Sequence, residues 1–254
     1  MKRLELFEIA DQNWCPPFLR QAVTDFLATV ASRTGIYRPT VDVVKRALER
    51  PRSRKVVALC AGSGGGIVDV AKELPPEIGI VLTDLRPYAG FSSDSPTMIY
   101  DPRSVDATRI PADLEGARVV YGSFHHFNPK DARTILESAV RAGQPIAVFE
   151  GTERSLRGIA ACLFIPLLVL VMMPFTRPLR VLTIAFTYLI PLLPLIILWG
   201  GIVSSFRSYT QSEMQALTKD LIAFQWEIGV LSGPHRERVA YLLGVPKAKE
   251  VQNI

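Results

Sequence analysis

The sequence predicts an α/β fold: a doubly wound, mostly parallel seven-stranded sheet that ends in a C-terminal β-hairpin. Three observations carry the prediction. Five short apolar runs, over 55–60, 78–83, 97–100, 117–122 and 145–150, alternate with helical or loop-like stretches. The first run breaks into Gly62-Ser63-Gly64-Gly65-Gly66, and the second ends on Asp84. Near the C-terminus, Gln225–Val230 and Arg238–Pro246 read as a strand and its return partner.

The elements follow in order. Residues 1–50 read as an N-terminal helical cap. Asp11, Asn13 and Pro16-Pro17 mark a helix start, and Phe18, Leu19, Ala22, Val23, Phe26, Leu27 and Val30 recur at helical spacing. Arg38-Pro39-Thr40 opens a second helix to about Arg50, and Pro51–Arg54 is a linker. Helices are expected over 65–74 and 129–142, the latter with Pro129 in its first turn. Residues 84–116 read mostly as loop, rich in Pro, Ser and Asp, and a long loop past strand tips is usually functional. Ser212-Glu213 opens a helix to about Ile222, and 247–254 reads as a tail.

Residues 158–207 form an apolar insertion between the fifth strand and the terminal hairpin. Residues 158–176 and 181–206 carry no charge and are separated by Arg177-Pro178-Leu179-Arg180. The second run has the length to span a bilayer, but Pro166, Pro174, Pro191 and Pro194 would kink any helix there. Strands on both sides must reach one sheet, so crossings come in even numbers. Arg154 and Arg157 at one end, Arg207 at the other, and Arg177 and Arg180 at the tip put positive charge on both sides, against the positive-inside tendency. A segment dipping into one leaflet and lidding the site is favoured over a two-span hairpin, with a soluble core or oligomer interface as the remaining option.

The chain of 254 residues has 48% hydrophobic content, a mean hydropathy of +0.22, a net charge of +5 and a pI near 9.2. The charge is too mild and scattered for a nucleic-acid partner and suits an anionic membrane surface. Three dispersed cysteines, Cys15, Cys60 and Cys162, support neither a disulfide framework nor a zinc site. The charged N-terminus, Met1 to Glu8, does not read as a signal peptide.

The glycine turn frees backbone N–H groups toward a ligand, and Asp84 can accept hydrogen bonds from both ribose hydroxyls, so the first two strands describe a nucleoside-cofactor site. Glu150 ends the fifth strand at the same edge and can orient a substrate or a histidine; the bland alternative is an ion pair with Arg154 or Arg157. Phe124-His125-His126-Phe127 follows the fourth strand, Val119-Val120-Tyr121, and a neutral imidazole there could take a proton from an acceptor. Adjacent histidines without further ligands do not point to a metal.

With its Cys-x-Gly-x-Gly-Gly loop, Phe-His-His-Phe segment and the block Trp199 to Tyr209, the chain resembles the class I S-adenosylmethionine-dependent methyltransferases, which have a Rossmann-like sheet, and more narrowly a bacterial, membrane-associated subgroup of them. The resemblance covers roughly 10–246. It implies S-adenosylmethionine as cofactor, held by Cys60, Gly62, Ser63, Gly64, Gly65, Asp84, Leu85, Asp106, Ala107 and Tyr121. It implies catalysis by His125, His126 and Glu150 on a lipophilic small-molecule acceptor, at the cytoplasmic face of the inner membrane, with a homo-oligomer possible. Two departures stand out: Ala58 and Gly200 occupy positions where the family often has acids. They keep open a non-catalytic, cofactor- or lipid-binding alternative. A nicotinamide enzyme is less consistent, because 62–67 reads Gly-Ser-Gly-Gly-Gly-Ile rather than Gly-x-Gly-x-x-Gly.

Overall fold

The computed structural model describes residues 1–49, 54–88, 90–93 and 95–247. The expected linker 51–53, Arg50 and the tail beyond Lys247 lie outside them.

The parallel strands are β1 (Lys55–Leu59), β2 (Gly79–Asp84), β3 (Met98–Ser104), β4 (Ala117–Tyr121) and β5 (Ile146–Glu150). The hairpin is β6 (Phe224–Ser232) and β7 (Arg238–Pro246). They form one seven-stranded sheet in the order β3-β2-β1-β4-β5-β7-β6, with β7 antiparallel to β5. The order reverses between β1 and β4, so a crevice opens at the carboxyl ends of these strands.

Helices α1 (Pro17–Thr34), α2 (Val41–Leu48) and α3 (Gly65–Ala71) precede or follow β1, and α4 (Pro129–Ala142) links β4 to β5. Two apolar layers sandwich the sheet. Val43, Val44 and Ala47 of α2 and Ile67 and Val70 of α3 pack on one face. Ala132, Ile135, Leu136 and Ala139 of α4 pack on the other. The latter are spaced as one helical stripe, which is why the pattern was readable.

The third strand extends further than expected, to Ser104. Asp101-Pro102-Arg103 reads as loop, but β3 is an edge strand, where a residue without an N–H is tolerated.

The insertion forms α5 (Leu156–Cys162), α6 (Ile165–Met172), α7 (Val181–Ile184) continued by a π turn over Ala185–Leu189, and α8 (Leu192–Arg207). Helix α9 (Gln211–Thr218) then leads into the hairpin, shorter than the run to Ile222 expected. Among the described residues no single helix is long and apolar enough to cross a membrane; two pairs bent by 45° and 82° pass that test together. Helix α8, with 16 residues, extends about 24 Å, short of the roughly 30 Å of a bilayer core. Its inner face, with Leu193, Ile196 and Ile197, joins Val169 of α6, Met173 in the turn just after it, and Leu19, Ala22 and Phe26 of α1 in a third core. Cap and insertion thus share their apolar interior. The outer face leaves Leu163, Phe164, Leu167, Val181, Leu189 and Leu195 exposed.

Candidate active site

The glycine turn leaves β1 through two residues with positive φ, Cys60 at 53° and Gly62 at 51°, followed by Gly64 at 95° and Gly65 at 30°. Cys60 is one of two non-glycine residues with positive φ among the described residues, a conformation that β-carbon sterics disfavour. Asp84 holds the turn: its Oδ2 accepts the Gly62 N–H at 2.9 Å, and its Oδ1 accepts the Arg86 N–H at 2.9 Å. Tyr100 donates its hydroxyl to the Gly62 carbonyl at 3.0 Å.

Helix α1 roofs this turn. Ser63 donates to Asp25 Oδ1 at 2.7 Å, and a β-carbon on Gly62 would meet Thr24 Cγ2 at 2.5 Å. Asp25 Oδ2 accepts from Arg180 at 2.7 Å, so the insertion is tied to the same point. Nothing local in the sequence ties Asp25 to the turn; its one signal is an acid that breaks the apolar stripe of α1.

Beyond β3, Asp106 forms an Asx turn, its Oδ1 accepting from Thr108 N at 2.8 Å and Thr108 Oγ1 at 2.7 Å. Ala107 is buried beside it, whereas Leu85 is exposed at the tip of β2. Burial pushes the Cys60 thiol up, and the carboxylates of Asp84, Asp106 and Glu150 push it further. Three predicted site acids therefore act on one point of the crevice. Tyr121 differs in placement from the other candidates. Its ring stacks on Phe149 and meets Tyr37 edge-on, and its hydroxyl is 3.1 Å from Thr40 Oγ1, so it packs beneath the turn against Gly66.

Glu150 holds the histidine segment from the sheet side, and Arg3 donates to the His125 and Phe127 carbonyls at 3.1 and 2.9 Å. Glu150 Oε1 accepts the N–H groups of Phe124 (2.7 Å) and His125 (3.2 Å), and its Oε2 lies 2.7 Å from His125 Nδ1. Arg154 instead pairs with Glu213. The N-terminal segment brings Glu8 and Asp11 to the histidines. His125 Nε2 faces Glu8 Oε1 at 3.7 Å, His126 Nε2 faces Glu8 Oε2 at 3.9 Å, and His126 Nδ1 is 2.9 Å from Asp11 Oδ2. Burial would lower the His125 pKa, but Glu150 and Glu8 outweigh it and push it up to about 10. Glu8 and Asp11 are lowered: burial opposes this, and the facing histidines, with Arg207 beside Asp11, prevail. Without another cation beside it, His125 is held toward its protonated form by these two carboxylates.

The two histidines are not without a further group of ligand type: Glu8 joins His125 and His126, with ligand atoms all within 4.8 Å of one another. Nothing local in the sequence ties Glu8 to the histidines; only the folded N-terminus does.

Trp199, Arg207 and Tyr209 all contact other segments of the chain. Trp199 donates to the Phe7 carbonyl at 2.9 Å and Tyr209 to the Phe127 carbonyl at 2.7 Å. Arg207 lies 3.4 Å from Asp11 and 3.7 Å from Glu8. A β-carbon on Gly200 would meet nothing within 4 Å. Two shallow cavities, of about 450 and 640 Å³, lie elsewhere, around Arg118 and around Arg54.

No family model matches the sequence, and no curated protein matches it. Solved structures do. The plantazolicin methyltransferase BpumL in complex with SAH is 11% identical with a TM-score of 0.56, each chain covered over 94% of its length. The citrinin polyketide synthase CMeT domain is 12% identical with a TM-score of 0.52, over 94% of this chain and 59% of that one. Human N-acetylserotonin methyltransferase in complex with SAM is 13% identical with a TM-score of 0.50; the match takes in 84% of this chain and 52% of that one. With this sheet order, the glycine turn after β1 and the acid ending β2, the chain has the fold of the class I S-adenosylmethionine-dependent methyltransferases.

Proposed function

We propose that this chain binds S-adenosylmethionine at the carboxyl ends of β1, β2 and β3 and methylates a lipophilic small molecule at a membrane face. The observation that carries the reading is the convergence of the turn at Gly62, Ser63, Gly64 and Gly65 with the carboxylates of Asp84, Asp106 and Glu150. The donor brings a sulfonium cation and a methyl group already activated for transfer, and the carboxylates of Asp84 and Asp106 at this edge suit a cation. Asp84 would hold the ribose, Leu85 and Ala107 would flank the adenine with Asp106, and the turn would approach the methionine end. The protein's contribution is mainly orientation of acceptor against methyl, which by itself accounts for a large part of such rates. Ala58 leaves β1 without an acid; Asp25, hydrogen-bonded to Ser63, brings one to the turn from α1.

The membrane part rests on the outer face of the insertion, where Leu163, Phe164, Leu167, Val181 and Leu189 are exposed together. The bends and the short α8 favour a helical layer lying in one leaflet over a spanning hairpin. Such a face beside the site would let an apolar acceptor arrive from lipid.

The test is calorimetric binding of S-adenosylmethionine and of NAD to detergent-purified protein, with Asp84→Ala and Asp84→Asn. Binding of the first alone, weakened at least tenfold in both variants, is expected. Binding of neither ligand would favour the non-catalytic alternative, and binding of NAD alone would overturn the cofactor assignment.

A further inference from the structure

We propose that Glu8, His125 and His126 form a binding site for one divalent transition-metal ion, of the Zn²⁺ or Co²⁺ type. The argument begins with ring orientation. Each imidazole has its Nδ1 engaged by a carboxylate, His125 by Glu150 at 2.7 Å and His126 by Asp11 at 2.9 Å. Histidines that bind metals are oriented in this way, with the far nitrogen held by a carboxylate so that the near lone pair is aimed. Both remaining Nε2 atoms then face the same carboxylate, that of Glu8, at 3.7 and 3.9 Å. Those separations are too long for hydrogen bonds. They lie a few tenths of an ångström above the about 3.3 Å that separates two ligand atoms on a tetrahedral ion with bonds of about 2.0 Å.

A second observation is independent of the cluster's composition. His125 is 3% exposed, and its Nε2 is a buried nitrogen without a hydrogen-bond partner, directed at Glu8. A buried polar atom in that state is costly unless something occupies the space in front of it. The two rings lie 4.4 Å apart, tilted by 32°. Two protonated imidazoles face to face would repel, whereas one shared ion serves both lone pairs at once.

Charge agrees. Glu8, Glu150 and Asp11 stand against the guanidinium of Arg207, so two negative charges remain once an ion takes the place of the His125 proton. One divalent ion balances them. Ser204, which donates to Glu8 Oε1 at 3.1 Å, fixes the carboxylate from α8. Two nitrogens and one carboxylate oxygen are a borderline donor set, suited to Zn²⁺ or Co²⁺ rather than to Mg²⁺ or Ca²⁺. Three protein ligands leave a coordination position open, as in zinc sites that act on a ligand and unlike closed structural ones. An oxygen or nitrogen donor of a small molecule would fill it. Metal capture needs no methyl transfer, so its failure would leave the proposed activity untouched.

The experiment is titration of EDTA-dialysed protein with CoCl₂, read by visible d–d absorption, and with ZnCl₂, read by calorimetry. One equivalent is expected to bind with a dissociation constant at or below 1 µM, on the order of that of an open three-ligand site. Glu8→Gln and His126→Asn should each weaken binding at least a hundredfold and bleach the tetrahedral cobalt bands. Asp11→Asn, which alters only the carboxylate behind His126, should weaken it about tenfold to a hundredfold. Circular dichroism melts in EDTA report whether each variant is folded, and His126, half-buried at the rim, is the variant least able to disturb folding. Absence of one-to-one binding at 100 µM of either ion, or binding unchanged in folded Glu8→Gln and His126→Asn, would overturn the proposal.

Discussion

Ser63 and Asp25 are joined by a 2.7 Å hydrogen bond that fastens the glycine turn to the helix above it. The other oxygen of Asp25 accepts from Arg180, so one buried carboxylate links cap, turn and insertion. Asp25→Ala is therefore expected to cost about 1–3 kcal/mol, because it strands a guanidinium and a hydroxyl. On a chain of this size that is a fall in Tm of roughly 2–10 °C. A thermal melt followed by circular dichroism checks it, and an unchanged Tm would mean the link carries no stability.

Gly62 is the position where the same closure is tightest. Gly62→Ala places a β-carbon 2.5 Å from Thr24 Cγ2 on a backbone with φ of 51°. The expected loss is about 1–3 kcal/mol from overpacking, with up to about 1 kcal/mol more from the left-handed backbone. Adding Thr24→Ser removes Cγ2 and should recover the packing part only. Urea midpoints of the two variants separate the contributions; equal midpoints would show that the clash is not the cause.

Glu213 pairs with Arg154, whose side chain is 2% exposed, and also closes the capping box of α9 with Thr210. Burial tends to raise the Glu213 pKa, but the Thr210 backbone N–H and Arg154 outweigh this and lower it. A lowered carboxylate contributes stability that is present above its ordinary pKa and lost as pH falls through the folded value. Glu213→Gln should thus be destabilised at pH 7, by about 2–4 kcal/mol, because the guanidinium is left buried and unpaired. The gap to the unaltered protein should narrow below about pH 4.5. Urea unfolding at pH 7 and pH 3.5 tests this; a gap that persists undiminished at pH 3.5 would contradict it.

The insertion's two faces should respond oppositely. Serine at Leu163, Leu167 and Leu189, all exposed, should change stability by no more than about 0.5 kcal/mol each. It should nevertheless release the protein from floated anionic liposomes. Leu193→Ala lies inside the core shared with α1 and should cost about 2–5 kcal/mol. Liposome binding retained by the triple serine variant would remove the support for a lipid-facing role.

Much of the sheet was readable because Val56–Leu59 of β1 and Ile146–Phe149 of β5 are continuous apolar runs, β4 is apolar apart from Arg118, and α4 shows a clean helical stripe, as strands and helices of a sheet covered on both faces do. Asp84 and Glu150 were readable for the same reason: an acid that ends such a run must face a crevice. A histidine was readable as one partner of Glu150, and it lies 2.7 Å away at His125 Nδ1, but the backbone amides that Glu150 also holds were not. Glu150 looked equally suited to Arg154, yet Arg154 turns to Glu213 and leaves Glu150 to the Phe124 and His125 amides. The insertion's composition alone resembled a membrane hairpin. Val169, Met173, Leu193, Ile196 and Ile197 are buried in a core with α1, which no local pattern reveals, since a buried and a lipid-facing leucine read alike.

The amino-acid sequence by itself determined the α/β alternation, the glycine turn, the acid that ends β2 and the terminal hairpin, because each depends on a period or a spacing within a few dozen residues. Tertiary structure alone decided that Glu8 and Asp11 lie over His125 and His126, that Asp25 reaches Ser63, and which face of the insertion is left exposed. Those contacts join residues distant in the chain, and they arise only when burial of the apolar faces of α1, α6 and α8 carries the N-terminal segment across the crevice.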